Sequence, residues 1–136
     1  MSIVIGNRRV SPRYDWGEGC EGWRVVDRPE LSVIEERMPP GTTEIRHVHR
    51  NANQVFHVLE GLLTLEVEGE SVGLRQGDTL TVPALRAHQV FNAGTSSARF
   101  LVISAPNTFG DRAEMSAHLP VTPSAHRWPV GHVQSL

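Results

Sequence analysis

Between Leu31 and Ser104 the chain is interrupted at short intervals by turn-forming residues, and the pieces between them alternate apolar and polar side chains. The interruptions are Pro39-Pro40-Gly41, Glu68-Gly69-Glu70, Gln76-Gly77-Asp78, Pro83-Ala84 and Asn92-Ala93-Gly94. Such residues preset φ, tolerate positive φ or bond their own backbone, and so end extended structure. The intervening pieces predict strands at Trp23–Val26, Leu31–Met38, Glu44–Val48, Gln54–Glu60, Leu62–Glu68, Val72–Arg75, Thr79–Val82, His88–Asn92 and Arg99–Ser104. Helical periodicity is nearly absent. Short, half-apolar strands at this spacing imply a sandwich or barrel. Leu63, Leu65 and Val67 share one strand face while Thr64, Glu66 and Glu68 share the other, which predicts a sheet packed on one side only.

A chain of 136 residues forms one domain and buries roughly two thirds of its unfolded surface. Its two ends read differently from the middle. Residues 1–22 are rich in Arg, Gly and polar groups, with a short strand candidate at Ile3–Ile5, and read as an N-terminal arm. The barrel domain is expected over 23–106. Residues 107–136 read as an extension packed on the barrel or on a partner subunit, starting with one or two helical turns after Pro106. The proline-rich end is expected to be extended, with Trp128 docked on the barrel or a second subunit.

A net charge of −2 gives no electrostatic basis for nucleic-acid or anionic-membrane binding. No apolar run approaches the roughly 20 residues that cross a bilayer. The first residues place their arginines after a very short apolar stretch, the reverse of a secretion signal. A single cysteine, Cys20, rules out an internal disulfide, so a cytoplasmic location is expected. Cys20 has no basic or His neighbour in sequence to activate it and reads as an inert packing thiol.

Two passages carry the chemistry. His47 and His49 project to the same side of one strand. Gln54 reaches the same point from the next strand once the chain has turned through residues 50–53, and His88 arrives from a more distant strand. Three imidazoles and one amide oxygen suit one divalent transition metal per chain: zinc, iron, nickel or copper, with manganese and cobalt left open. Gln54 has an alternative, which is to turn its amide to the backbone and leave the ion to three histidines and water.

Gly41, His47, His49, position 54 and Gly61, followed by Gly77, Pro83, His88 and Asn92, resemble the two motifs of the cupin family. The resemblance covers roughly Leu31 to Ser104. It implies an all-β, double-stranded β-helix barrel, related to the jelly roll, with a metal inside its mouth, a small-molecule ligand and a homodimer. Two positions depart from the pattern. Gln54 stands where glutamate is usual, so three neutral imidazoles and a neutral amide leave the full +2 on the ion. That weakens affinity, raises Lewis acidity and favours an anionic ligand. Leu85 replaces the glycine of the second motif, which implies a turn without positive φ, or an altered loop path.

Other residues are weighed by parity. Phe56, Val58 and Val90 share the ligands' strand faces and are expected to wall the pocket. His57 falls on the opposite face and reads as an outer or subunit-contact residue. Glu36 either points into the barrel as a general acid or base or pairs with a barrel arginine. Arg46 is expected to face away from the metal as a surface or interface charge. His118, His126 and His132 match no metal spacing, and Trp16, Trp23 and Trp128 are expected in packing or dimer contacts. The leading functional expectation is isomerase- or lyase-type Lewis-acid chemistry on a uronate- or keto-acid-like molecule. The three-His, one-Gln set is similar to that of small pectin-degradation cupins that open unsaturated uronic sugars. An iron-dependent dioxygenase and a non-catalytic binding cupin are the alternatives.

Overall fold

In the computed structural model, which describes residues 3–115, every regular element is a β-strand. In chain order these are β1 (Arg13–Trp16), β2 (Cys20–Arg28), β3 (Leu31–Met38), β4 (His47–His49), β5 (Asn53–Glu60) and β6 (Leu63–Val67). They continue with β7 (Glu70–Leu74), β8 (Thr79–Val82), β9 (His88–Phe91), β10 (Ala98–Ala105) and β11 (Arg112–Glu114). The strands form a six-stranded sheet ordered β1-β2-β3-β10-β5-β8 and a five-stranded sheet ordered β11-β4-β9-β6-β7. From β3 onward the chain passes back and forth between the sheets, apart from the β6–β7 hairpin, and all pairings are antiparallel. This is a double-stranded β-helix. Among the described residues no helix is long and apolar enough to cross a membrane.

Alternation builds the core. In β5 and β10 every second residue is buried, and the register sets Phe56 against Val102 and Val58 against Phe100. These meet Leu63, Leu65, Val67 and Val90 of the facing sheet in one apolar cluster. Each such side chain stabilises the fold by about 1.5–3 kcal/mol. The β6–β7 hairpin turns at Glu68 and Gly69, both with positive φ, the geometry whose twist matches the strands it joins.

Strand β6 is buried on both faces, contrary to the one-sided packing its alternation predicts. The reason is an ion pair under the outer face. Glu66 accepts bonds from Arg46 Nε at 2.7 Å, Arg46 Nη2 at 3.3 Å and the Gly69 N–H at 2.6 Å. Arg46 is therefore a buried, paired cation, 7% exposed, and not a surface charge.

The ends also differ from expectation. Ile3–Ile5 has no ladder partner and forms no strand. Residues 1–22 nevertheless supply β1 and the start of β2, so much of the expected arm belongs to the sheet. Among the described residues no helical turn follows Pro106; Arg112–Glu114 pairs instead with the open edge of β4, residue for residue from His49 to His47. The expected strand from Glu44 starts only at His47. Trp128, His118, His126, His132 and the extended tail lie outside the described residues.

Candidate metal centre

Strand β4 presents His47 and His49 on one face, and the β4–β9 register sets His88 directly opposite His47. Ring centroids lie 4.9 Å apart for His47 and His49, 4.4 Å for His47 and His88, and 5.9 Å for His49 and His88. One nitrogen from each ring falls within 4.8 Å of the other two. All three rings are buried.

Backbone carbonyls fix the rings. His47 Nδ1 is 2.8 Å from the Ile45 carbonyl and His88 Nδ1 is 3.0 Å from that of Arg86. A neutral ring donating from Nδ1 leaves the Nε2 lone pair free, the arrangement that orients metal-bound histidines. His49 Nδ1 faces Asp111 Oδ2 at 3.8 Å, beyond hydrogen-bond length. Burial, reinforced by charge on His88, drives His47 down to about 2 and His49 to about 4; burial likewise lowers His88. At neutral pH the three rings are uncharged, the form that ligates.

Gln54 faces the same cavity from β5. Cross-strand register places Ser104 beside it, and Gln54 Nε2 donates to Ser104 Oγ at 3.1 Å. That bond directs the amide and leaves Oε1 buried without a hydrogen-bond partner among the described residues; His88 Nε2 is orphaned in the same way. Buried acceptors without donors are costly. A cation satisfies both, so the four residues fit a divalent transition ion. The turn between the ligands is held by Asp111, whose carboxylate accepts the N–H groups of Arg50, Asn51 and Ala52 at 2.8–3.2 Å.

Beside the histidines lies a cavity of about 260 Å³. Glu36 points into it, and the Tyr14 hydroxyl donates to its Oε2 at 2.9 Å. No arginine of the described residues lies within ion-pair distance of Glu36, so the alternative of a barrel arginine partner does not hold. Burial raises the Glu36 carboxyl to about 7, against the pull of the Tyr14 bond and of the Arg112 and Arg24 charges. Burial and the Glu36 charge push the Tyr14 phenol up as well, which keeps it a donor. Gly22 makes this contact possible, because a Cβ there would overlap the Tyr14 ring.

Sequence reasoning missed several wall residues: Tyr14, Arg24, Glu44, Thr108 and Arg112. Glu44 was obscured by parity. Residues 44–46 are not a strand, so alternation counted back from His47 does not apply to them. Burial and the Glu36 charge raise Glu44 to about 8, and its Oε1 has no hydrogen-bond partner among the described residues, standing 3.8 Å from His47 Nδ1. Trp16 also lines the cavity, beyond its packing role, while Trp23 is simply buried.

Phe56 walls the cavity, with its ring 5.9 Å from His88. Val58 and Val90 do not; both are enclosed by the apolar core and have no surface left for a ligand. His57 stands on the outer face, 2.7 Å from Thr79 Oγ1. Cys20 is buried, and burial raises its thiol. Asn92 is structural: its amide donates to the Met38 and Ser96 carbonyls and accepts from Gly94.

Leu85 reverses its expectation. Its φ is +70°, so the turn keeps the left-handed geometry that glycine favours, in a leucine that is 68% exposed. The Leu85 N–H donates to the His49 carbonyl at 2.7 Å, a bond that pins the loop to the ligand strand.

A double-stranded β-helix with an inward cluster of three histidines defines a barrel protein able to hold a metal ion. The chain belongs to the Cupin domain family, whose model matches residues 34–104. It is 27% identical over 75 residues to the uncharacterized protein MJ1618 of Methanocaldococcus jannaschii, covering 55% of this chain and 60% of that protein. It is 34% identical over 59 residues to quercetin 2,3-dioxygenase of Bacillus subtilis, covering 43% of this chain and 18% of that enzyme. The matches thus span less than two thirds of these relatives. Among solved structures, KdgF from Halomonas sp. superposes with a TM-score of 0.71 at 20% identity, covering 78% of this chain and 96% of KdgF. At that identity the likeness is one of fold.

Proposed function

We propose that the chain is a metal-dependent enzyme of isomerase or lyase type acting on a small anionic or polyhydroxylated molecule. The observation that carries this reading is the orphaned Gln54 Oε1 beside three uncharged imidazoles. A donor set without negative charge leaves a bound dication strongly electrophilic. Such an ion supplies Lewis acidity for polarising a carbonyl or hydroxyl oxygen.

The chain's own groups supply the proton transfer. Glu36, held at about 7, exchanges a proton near neutral pH in either direction. Tyr14 fixes which carboxylate oxygen stays engaged and which faces the cavity. Trp16 and Phe56 give the ligand flat apolar walls. Ile3, Val4 and Ile5 are almost fully exposed and are the apolar surface through which the proposed homodimer would form.

Metal analysis of untagged protein tests the centre. About one transition ion per chain is expected, with loss in the His47→Ala, His49→Ala double variant and tighter retention in Gln54→Glu. Unchanged metal content in the double variant would sink the reading. Glu36→Gln should keep the metal and lower turnover about 100-fold, in line with loss of a general acid or base. The partial similarity to a dioxygenase motivates a second reading, which predicts oxygen consumption by the iron-loaded protein.

A further inference from the structure

Two cations on the cavity wall stand outside every ion pair of the described residues, with longer-range charge interaction to Glu36. Arg24 and Arg112 both line the cavity. Among the described residues neither lies within 4 Å of a carboxylate oxygen, although arginines 8, 13, 28, 37, 46 and 99 all do. Each is held by one contact that leaves donors over. The Arg24 guanidinium stands 4.7 Å over the Tyr14 ring, and Arg112 Nη2 donates to the Ile45 carbonyl at 3.2 Å. A guanidinium carries five N–H donors in a rigid fork that matches carboxylate and phosphate oxygens. Holding the fork in place before binding lowers the ordering cost of recognition.

Two carboxylates, Glu36 and Glu44, face the same cavity. Formal charge still favours an anion: two guanidiniums offset both acids even when these are fully ionised, and a dication held by neutral donors would be the surplus.

We infer that Arg24 and Arg112 read the anionic group, carboxylate or phosphate, of a small polyol whose remaining oxygens face the histidines. This rests on the cavity being the substrate site. Arg24 also borders a second cleft, with Arg28, Asn107 and Phe109, and so stands where a ligand enters from outside.

Calorimetric titration of zinc-loaded protein with D-galacturonate, D-galactose 1-phosphate and D-galactose tests this, with zinc per chain measured on every sample. At least one of the two anions should bind roughly tenfold more tightly than galactose, and Arg24→Gln and Arg112→Gln should each remove about that factor. The two anionic arms decide between carboxylate and phosphate. Zinc content should stay at the wild-type value in both variants. Anion binding that survives both substitutions, or a wild-type protein that prefers neither anion to galactose, overturns the inference. A protein that holds no zinc yet loses anion binding in the arginine variants would retain this inference and remove the metal reading instead.

Discussion

The amide of Gln54 shows how one contact fixes a side chain's orientation. Because Nε2 is engaged by Ser104, the oxygen has only the cavity to face. From sequence alone either orientation was open, since the choice depends on a β10 residue 50 positions away. Glu36 is a similar case: strand parity leaves both faces of β3 partly apolar, and the Tyr14 contact from β1 shows that the carboxyl points into the cavity. Leu85 was misread for a different reason. Absence of glycine implies a turn without positive φ or an altered loop path, whereas the loop holds leucine at +70°, with its N–H bonded to the His49 carbonyl. A left-handed non-glycine residue carries about 1–2 kcal/mol of strain. Leu85→Gly should therefore raise unfolding stability by about 1 kcal/mol, after glycine's added unfolded-state freedom is deducted. Urea denaturation reads this as a higher midpoint; a lower one would show that the leucine side chain packs to more effect than its exposure suggests.

At the scale of elements, the central strands were the legible part. Leu31–Met38 and Thr79–Val82 match the observed bounds, and most others fall within two residues of them. Period-two burial is a local signal, and these strands have it. The strands that escaped notice are β1 and β11, whose existence depends on a neighbour's open edge. Arg112-Ala113-Glu114 carries no alternation and is extended only because β4 offers a ladder. The same segment brings Asp111 under the turn that joins β4 to β5. Three backbone N–H groups of that turn, from Arg50 to Ala52, depend on one carboxylate. Asp111→Ala would take this acceptor from all three, the buried Ala52 N–H among them, and should destabilise the protein by about 1–3 kcal/mol. Because His49 and Gln54 flank the turn, metal affinity should fall with it. Loss of stability with full metal affinity would show that the ligands are positioned without the turn.

The whole molecule has an opposed set of titrations at its centre. Glu36 sits at about 7, above its ordinary 4.5. The folded protein keeps a proton there that the unfolded chain releases, so stability is lost as pH rises from 4.5 to about 7. The three histidines act in reverse. Held below their ordinary 6.5, they cost stability as pH falls from 6.5 towards about 4, the His49 value. Comparing Glu36→Gln with wild type in the presence of a chelator isolates the acid limb. The variant's melting temperature should gain on wild type as pH rises from 4.5 to about 7 and then hold a constant lead. A difference that does not change with pH would mean that Glu36 is ionised throughout.

The proposed metal seat and the rest of the cavity differ in how deeply they are rooted. All four proposed ligands lie on interior strands of the two sheets, and His88 pairs with both β4 and β6. Tyr14 and Trp16 instead ride on β1, an outermost ribbon joined to the sheet along one side. The proposed ligand recognition is thereby separable from the proposed ion capture. Exchanging a few residues near the amino terminus would retune what is accepted, and a bulky fusion at that end would alter turnover while the ion stayed in place.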